Sequence, residues 1–354
     1  MNADILFLPV SGARGAGELY RCLALAEACH AQFPQLQLHL AASREAGFEP
    51  PQWLHTHALA ASPTRDEAGV QRLLARLAPK LVVFDSTLRP GQLRQAHSLG
   101  ATTVYISARP NRRRRGFDPR KLSWLDEHWI ISPPDQHRLK WWERLLCLAG
   151  EPRLRFFATL TSPGDSVRRE SLLKEHDFAP DGYVLFASGG GGGQVNEQPV
   201  AEIFQQAARD FHKQTGMATL YVAGPLAHVP LQSEAGRLEL ASLSPQALGD
   251  VMGGAKLVVS GGGSLVHQGL AHERPCLAAP AGGRDQPARL RALAATGVIE
   301  TCETRSEVMC DAAVALVADS PRRARLVDAA RAAGYVNGMP EAVRALADAS
   351  TRTF

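Results

Sequence analysis

The stretch that decides the fold is LVVSGGGSLVHQGLAHERPCLAAP, residues 257–280. It starts with a short apolar run, passes through a glycine-rich turn at 260–264, continues in a helical pattern from Leu265 to His272, and ends in a second apolar run. Apolar runs that are this short and do not alternate are typical of parallel strands buried on both faces. The stretch therefore predicts a strand–helix–strand unit of an open parallel α/β sheet.

Similar apolar runs recur along the chain in two series separated by a stretch with Pro and Gly at 163–182. The first series lies at 5–10, 36–42, 81–85, 102–107 and 128–132, and the second at 183–188, 218–224, 257–260 and 275–280. A chain of 354 residues suits two α/β domains. We expect Rossmann-like domains at 1–165 and 180–325, with C-terminal helices at 326–354 that could cross back to the first domain.

Composition and charge exclude several protein classes. Hydrophobic residues make up 45% and charged residues 21% of the chain, which is typical of globular proteins. Neither an apolar stretch of about 20 residues nor an N-terminal signal pattern is present, so we expect a cytosolic protein. The six cysteines form no CxxC pair, so we expect neither a disulfide nor a structural metal site. Residues 1–175 have 24 Lys and Arg against 17 Asp and Glu, so the net charge of +4 reflects a basic first half.

Two strands of the second series end in glycine-rich turns, SGGGGGQ at 188–194 and SGGGS at 260–264. Glycine lets backbone N–H groups approach an anion closely, and the helix after the second turn offers free N–H donors at its start. The alternative is a pair of flexible linkers. Because the glycine-rich turn occurs twice, the sequence favours a diphosphate site. The predicted donor-binding residues are Gly189, Gly190, Gly191, Gly262, Gly263 and Ser264.

Other nucleotide-binding motifs are absent from these turns. Neither turn ends in the Lys-Ser/Thr pair of a P-loop, and SGARGAGE at 11–18 does not match a dinucleotide fingerprint. ATP hydrolysis and NAD chemistry are therefore weaker interpretations.

The block from Leu243 to Gly297 resembles the donor-binding region of family 28 glycosyltransferases. The matching parts are the turn at 262–264, Pro275, and the Asp285-Gln286 pair. The glutamate with which that family binds the donor ribose falls on Gln268, and the asparagine after its D-Q pair falls on Arg289. The resemblance implies donor-side roles for Gln268, Asp285 and Gln286, with a surface or capping role as the alternative. His267 neighbours the donor loop and could reach a phosphate, with a packed histidine as the alternative.

The N-terminal stretch GAGELYRCLALAEA, residues 15–28, is similar to the opening of bacterial UDP-sugar hydrolases of the pseudaminic acid pathway and of spore-coat polysaccharide proteins. Glu18 replaces their histidine. LVVFDSTLR at 81–89 and TTVYISARP at 102–110 resemble later strands of the same proteins. The resemblance implies Glu18 as the catalytic base, with Arg14, Gly15 and Gly17 on the acceptor side. Asp85 is a second catalytic candidate because it ends a strand on the face where open α/β sheets bind ligands, where it could contact the acceptor or orient the base. A carboxylate at a helix start is also common as a dipole partner.

Together the resemblances imply a GT-B fold, in which two Rossmann-like domains face across a cleft. They imply transfer of a sugar from a UDP-type donor to a hydroxyl group of a glycan, lipid-linked or small-molecule acceptor, with neither metal nor cofactor. The alternatives are a UDP-sugar hydrolase and a non-catalytic nucleotide-sugar-binding protein.

A basic and aromatic segment lies at 109–155, with twelve Arg or Lys against six acids. It includes RRRR at 112–115 and the helical pattern RLKWWERLLCLAG at 138–150. Three interpretations remain open: peripheral contact with the inner face of a membrane, binding of an anionic acceptor or nucleic acid, and a solvated surface over a buried Trp pair. No RNA-binding motif is present, so nucleic acid is not expected as a partner.

Overall fold

The computed structural model describes residues 4–12, 17–147, 152–179 and 182–351. The chain divides into two compact units, one made of Met1–Leu160 with Gly338–Phe354 and the other of Thr161–Asn337. Among the described residues, no helix is long and apolar enough to cross a membrane.

The first unit is a parallel sheet covered by helices. Its strands are β1 (Ile5–Pro9), β2 (Leu38–Ser43), β3 (His55–Leu59), β4 (Leu81–Asp85), β5 (Thr102–Ser107), β6 (Glu127–Ile131) and β7 (Arg153–Phe157). Its helices are α1 (Gly17–Gln32), α2 (Glu67–Leu77), α3 (Pro90–Ser98), α4 (Pro110–Gly116), α5 (Pro119–Leu122), α6 (Trp141–Cys147) and α14 (Met339–Thr351), with a 3-10 turn at Pro134–Gln136. The strand order is β3-β2-β1-β4-β5-β6-β7.

The second unit repeats this plan. Its strands are β8 (Val184–Ala187), β9 (Gln194–Val195), β10 (Gln198–Pro199), β11 (Thr219–Val222), β12 (Arg237–Leu240), β13 (Leu257–Gly261), β14 (Cys276–Ala279) and β15 (Glu300–Thr301). Its helices are α7 (Ser166–Glu175), α8 (Val200–Thr215), α9 (Pro245–Gly254), α10 (Ser264–Ala271), α11 (Gln286–Ala295), α12 (Ser306–Ala318) and α13 (Ser320–Ala332). The main sheet has the order β12-β11-β8-β13-β14-β15, while β9 and β10 form a separate small hairpin.

The central strands are buried on both faces, as their continuous apolar runs predict. In the first unit, Ile5 and Phe7 pack with α1 and α14 on one face, whereas Leu6 and Leu8 belong to a core on the other face. In the second unit, Val184 and Phe186 pack beside residues of α8 and α12. The predicted fold class, with two parallel α/β halves, is confirmed.

In both sheets the strand order reverses beside the first strand. β1 pairs in parallel with β2 and β4, and β8 pairs in parallel with β11 and β13. Such reversals leave a crevice beyond the carboxyl ends of the two central strands, where open α/β sheets bind ligands. These two positions are therefore the first places to look for a functional site.

Candidate functional site

The two glycine-rich turns of the second unit meet at its reversal point. The first turn follows β8, and the second begins with Gly261, the last residue of the adjacent strand β13. A Cβ on Gly261 would lie 2.5 Å from the carbonyl oxygen of Ser188, which shows how closely the two turns pack. The turns predicted from separate stretches of sequence thus lie side by side.

The glycines of the first turn serve different purposes. Gly191 has φ +79°, and an added Cβ would lie 2.7 Å from Ala227 Cβ, so packing requires a glycine there. Gly189 also has a positive φ of +96°. Gly190 is exposed, and no described residue beyond its chain neighbours lies within 4 Å of a Cβ added to it. Packing explains part of the glycine run, while Gly190 leaves backbone open to an approaching ligand.

A third turn, after β14, joins the other two. A Cβ on Gly193 would overlap the carbonyl oxygen of Ala281, and Gly282 adopts φ +88° beside Gln194. The Ala281 backbone N–H donates to the side-chain oxygen of Gln286, the first residue of α11. Gln286, a predicted donor ligand, therefore closes this third turn with its oxygen.

Helix α10 points its N-terminus at these turns and carries three predicted ligands. Gly263 is its N-cap, and no side chain among the described residues caps the helix there. Ser264, His267 and Gln268 have the i, i+3, i+4 spacing that places side chains on neighbouring positions of one helix face. Free N–H groups and the positive end of the helix dipole favour an anion at such a terminus.

His267 is a neutral polar group at this site. Burial, with a smaller effect from the charge of Arg289, lowers the pKa of His267 to about 4, so the ring is uncharged at neutral pH. Its Nδ1 is buried and has no hydrogen-bond partner within the described ranges. The ring lies nearly parallel to that of Tyr335, with centroids 6.0 Å apart. His267 can therefore offer a hydrogen bond to a ligand, but not a positive charge.

Arg289 supplies the charge that His267 lacks. Its guanidinium donates to the carbonyl oxygen of Gly262 and contacts Asp285 Oδ2 at 2.9 Å. It thus links α11 to the second glycine turn. The family resemblance predicts no role for Arg289, which stands where that family has an asparagine. The i, i+4 spacing of Asp285 and Arg289 would have predicted their ion pair, but not the contact with Gly262.

The reversal point of the first unit carries an ion-pair network. Asp85, at the end of β4, is fully buried and accepts two hydrogen bonds from Arg21 of α1, at 2.7 and 2.8 Å. Burial raises the pKa of Asp85, and the charge of Arg21 offsets part of that rise. Arg112 of α4 bridges the two predicted catalytic carboxylates, since its Nη2 lies 3.0 Å from Glu18 Oε1 and its Nη1 lies 3.6 Å from Asp85 Oδ1.

In this network the carboxylates of Glu18 and Asp85 are both paired with arginine side chains. Glu18 follows Gly17, the first residue of α1, and its Oε1 is paired with Arg112. Arg109 Nη2 lies 4.0 Å from the same Glu18 oxygen and is largely exposed. Asp85 touches Arg21 and Arg112 rather than solvent. Of the predicted acceptor-side residues, Gly17 lies beside Glu18, while Arg14 and Gly15 lie outside the described residues.

No protein-family model matches the chain, and no curated protein matches it. Solved structures do match over nearly its whole length. Spinosyn forosaminyltransferase SpnP has a TM-score of 0.60 at 14% identity, covering 98% of this chain and 100% of that chain. CalG4, the calicheamicin glycosyltransferase, has a TM-score of 0.57 at 14% identity, covering 99% and 100%. The chain has the GT-B fold.

The same fold occurs in proteins with other activities or ligands. Phytolacca americana UGT2, complexed with UDP-2-fluoroglucose and pterostilbene, has a TM-score of 0.57 at 11% identity, covering 98% of this chain and 99% of that chain. A structure described as a UDP-N-acetylglucosamine 2-epimerase from Listeria monocytogenes has a TM-score of 0.55 at 13% identity, covering 100% and 98%. At these identities the likeness shows the GT-B fold alone.

Proposed function

We propose that this GT-B protein is a metal-independent glycosyltransferase. It transfers a sugar from a nucleotide-sugar donor, in which the nucleotide is UDP, to a hydroxyl group of an acceptor. The acceptor is a glycan, a lipid-linked molecule or a small molecule. The observation that carries this proposal is the convergence of three glycine turns and the start of α10 at the reversal point of the second sheet. Open α/β sheets bind nucleotides at this position, and a helix start favours phosphate. The UDP-2-fluoroglucose bound to Phytolacca americana UGT2 adds support.

The second unit would hold the donor. Backbone N–H groups at Gly189 to Gly191 and at the start of α10 would contact the diphosphate, and the α10 dipole would take up the charge that develops on the leaving group. Arg289 would add a cation beside the second turn. We assign Gln268 to the ribose, and Asp285 with the amide nitrogen of Gln286 to the sugar, because the Gln286 oxygen is already occupied by Ala281.

The first unit would hold the acceptor. Glu18 is the proposed base. Arg112 contacts both Glu18 and Asp85, and in this proposal it positions the Glu18 carboxylate for the acceptor. When an acceptor hydroxyl replaces Arg112 as the partner of Glu18 Oε1, the carboxylate can accept its proton as the sugar is transferred. Asp85 keeps Arg21 and Arg112 in place as the buried counter-charge.

Thermal unfolding with a panel of UDP, GDP, ADP, CDP and TDP tests the donor site. A ligand that binds only the native state at about 100 times its Kd stabilises it by about 2.7 kcal/mol. We expect UDP to raise the melting temperature most, and uridine without phosphates to raise it far less, because the site is built for the diphosphate. A melting temperature that no nucleoside diphosphate raises would remove the donor site from this proposal.

Product analysis then separates transfer from the other reactions of UDP-sugars. The protein is incubated with UDP-sugars with and without hydroxyl acceptors, and the products are identified by NMR. Glycosylated acceptor is the expected product. Free sugar formed equally without an acceptor would instead identify a hydrolase, and an epimerised UDP-sugar would identify an epimerase. UDP binding with no product under any condition would identify a nucleotide-sugar-binding protein.

A further inference from the structure

Helix α6 of the first unit presents two large apolar side chains to solvent. Trp141 is 74% exposed and Leu145 is 56% exposed. Their i, i+4 spacing places them next to each other on one side of the helix. The neighbouring Trp142 instead packs edge-on against Phe117, with ring centroids 5.9 Å apart. The tryptophan pair is therefore divided between the protein interior and the surface.

The opposite side of α6 is firmly anchored, so the exposed pair is not a frayed end. Glu143 is buried and accepts hydrogen bonds from Arg113 at 2.8 and 2.7 Å. Glu143 also accepts from the Lys140 backbone N–H at 2.8 Å. Arg113 in turn donates to the carbonyl oxygens of Gln136 and Arg138, which ties the segment before α6 to α4. Trp141 and Leu145 are thus held on the surface by a buried and fully paired network.

The charges around this pair are positive. Arg138, Lys140 and Arg144 are exposed, and none of them forms an ion pair with a described residue. The acid within α6, Glu143, is buried and neutralised by Arg113. Tryptophan together with flanking Lys and Arg is the combination enriched where proteins meet the headgroup region of a bilayer.

We propose that the surface formed by Trp141, Arg144 and Leu145 of α6, together with Arg138 and Lys140 just before the helix, docks the protein on an anionic phospholipid bilayer. Trp141 and Leu145 enter the headgroup region while the three cations contact lipid phosphates. A second protein chain fits less well, because a stable protein interface buries about 1,200–2,000 Å² and is depleted of lysine, whereas this apolar surface is two side chains wide. The proposal is independent of the glycosyltransferase activity.

Co-sedimentation with lipid vesicles tests the docking surface. The full chain is mixed with vesicles of phosphatidylcholine alone or with added phosphatidylglycerol. We expect the chain to pellet with the anionic vesicles only, and to be released as the salt concentration rises. The double substitution Trp141→Ser with Leu145→Ser should weaken partitioning by about tenfold or more, because it removes the apolar contact. Arg138→Gln, Lys140→Gln and Arg144→Gln together should remove the preference for anionic lipid.

The matched control is Val167→Ser, which removes an apolar side chain that is 71% exposed on α7 of the second unit. It should bind vesicles as the wild type does. Circular dichroism melting verifies that each variant is folded. Failure of the wild type to bind anionic vesicles would overturn the proposal, as would unchanged binding by the Trp141 and Leu145 double variant. A dimer in solution that this double variant dissociates would assign the face to a second copy instead.

Discussion

At the scale of single residues, Arg112 changes how Glu18 must be understood. A carboxylate at the start of a helix has no special chemistry by itself, but Glu18 shares Arg112 with the buried Asp85. Because Arg112 and Arg109 both approach the same Glu18 oxygen, the carboxylate is surrounded by cations. An acceptor hydroxyl that binds Glu18 Oε1 would therefore have to take the place of one of these guanidinium groups.

Substitution of the proposed base should separate catalysis from donor binding. Glu18→Gln keeps the shape of the side chain and removes its ability to accept a proton, so we expect turnover to fall by about 100-fold or more while the UDP-induced rise in melting temperature persists. The control is Glu67→Gln, an exposed acid of α2 in the same unit. Turnover by Glu18→Gln at the wild-type rate would exclude Glu18 as the base.

His128 should make the first unit sensitive to acid. Its side chain is fully buried on β6, and its Nε2 lies 2.8 Å from Ser107 Oγ. Burial lowers the pKa of His128 to about 3. In the unfolded chain the pKa is about 6.5, so below that pH the unfolded state binds a proton that the folded state does not bind. Stability is therefore lost as the pH falls from about 6.5 towards 3.

Between pH 7 and pH 5 this residue should reduce the free energy of unfolding by about 2 kcal/mol. His128→Gln, which retains a hydrogen-bonding group for Ser107, should remove that part of the pH dependence. Urea unfolding of both proteins at the two pH values measures it. An equal loss of stability in the wild type and in His128→Gln would contradict the assignment.

At the scale of elements, the glycines of the three turns have different structural roles. Gly191 and Gly193 are required by contacts with Ala227 and Ala281, whereas Gly190 faces open space. The structural and the ligand-binding parts of the run can therefore be separated by substitution.

Gly190→Asp should weaken donor binding without harming the fold. Its carboxylate has room among the described residues but would repel a diphosphate. Gly190→Asn has the same shape without the charge and serves as the control. We expect UDP affinity, measured by calorimetry, to fall by about tenfold or more for the Asp variant relative to the Asn variant. Equal affinities would show that the diphosphate does not pass near Gly190. Gly191→Ala, in contrast, should lower the melting temperature with or without UDP.

The sequence was sufficient to predict the central strands, because strands buried on both faces require continuous apolar runs. It did not reveal edge strands such as β3, β7 and β12, whose sequences are HTHAL, RLRFF and RLEL. Glu239 of β12, for example, is buried with Arg209 of α8 and Gln205 of the same helix bonded to its carboxylate. Such contacts depend on residues far away in the sequence, so local patterns do not contain them.

The same reasoning applies to the site. Both glycine turns and the start of α10 were predictable, since each is a local strand–turn–helix pattern. The contact of Arg112 with Glu18 was not, because it joins residues of α4 and α1 that the strand order brings together. The third turn was missed for the same reason: Gly282 matters only because β14 lies next to β13.

At the scale of the whole molecule, the first unit is built from both ends of the chain. Helix α14 belongs to the core that contains β1 and α1, to which it contributes Met339, Ala342, Val343 and Leu346. Residues 161–337, which separate α14 from the rest of the first unit, form the second unit. The stability of the N-terminal unit therefore depends on the most C-terminal helix.

Leu346→Ala should destabilise the first unit by about 2–5 kcal/mol, because Leu346 is fully buried in that core. All five tryptophans, at positions 53, 124, 129, 141 and 142, belong to the first unit, so tryptophan fluorescence reports its unfolding. Leu316→Ala makes the same change in the core of the second unit. We expect the fluorescence midpoint in urea to fall more for Leu346→Ala than for Leu316→Ala. Equal shifts would mean that the two units unfold together.

The place of α14 also determines the order in which the protein matures on the ribosome. Residues 161–337 form the second unit as one continuous segment, whereas the first unit is assembled from residues on both sides of it. The N-terminal part of the first unit is synthesised before the second unit, yet part of its core is missing until α14 is made. The unit whose synthesis begins first is therefore completed after the second unit, and the nascent N-terminal half leaves apolar surface available to chaperones until α14 is made.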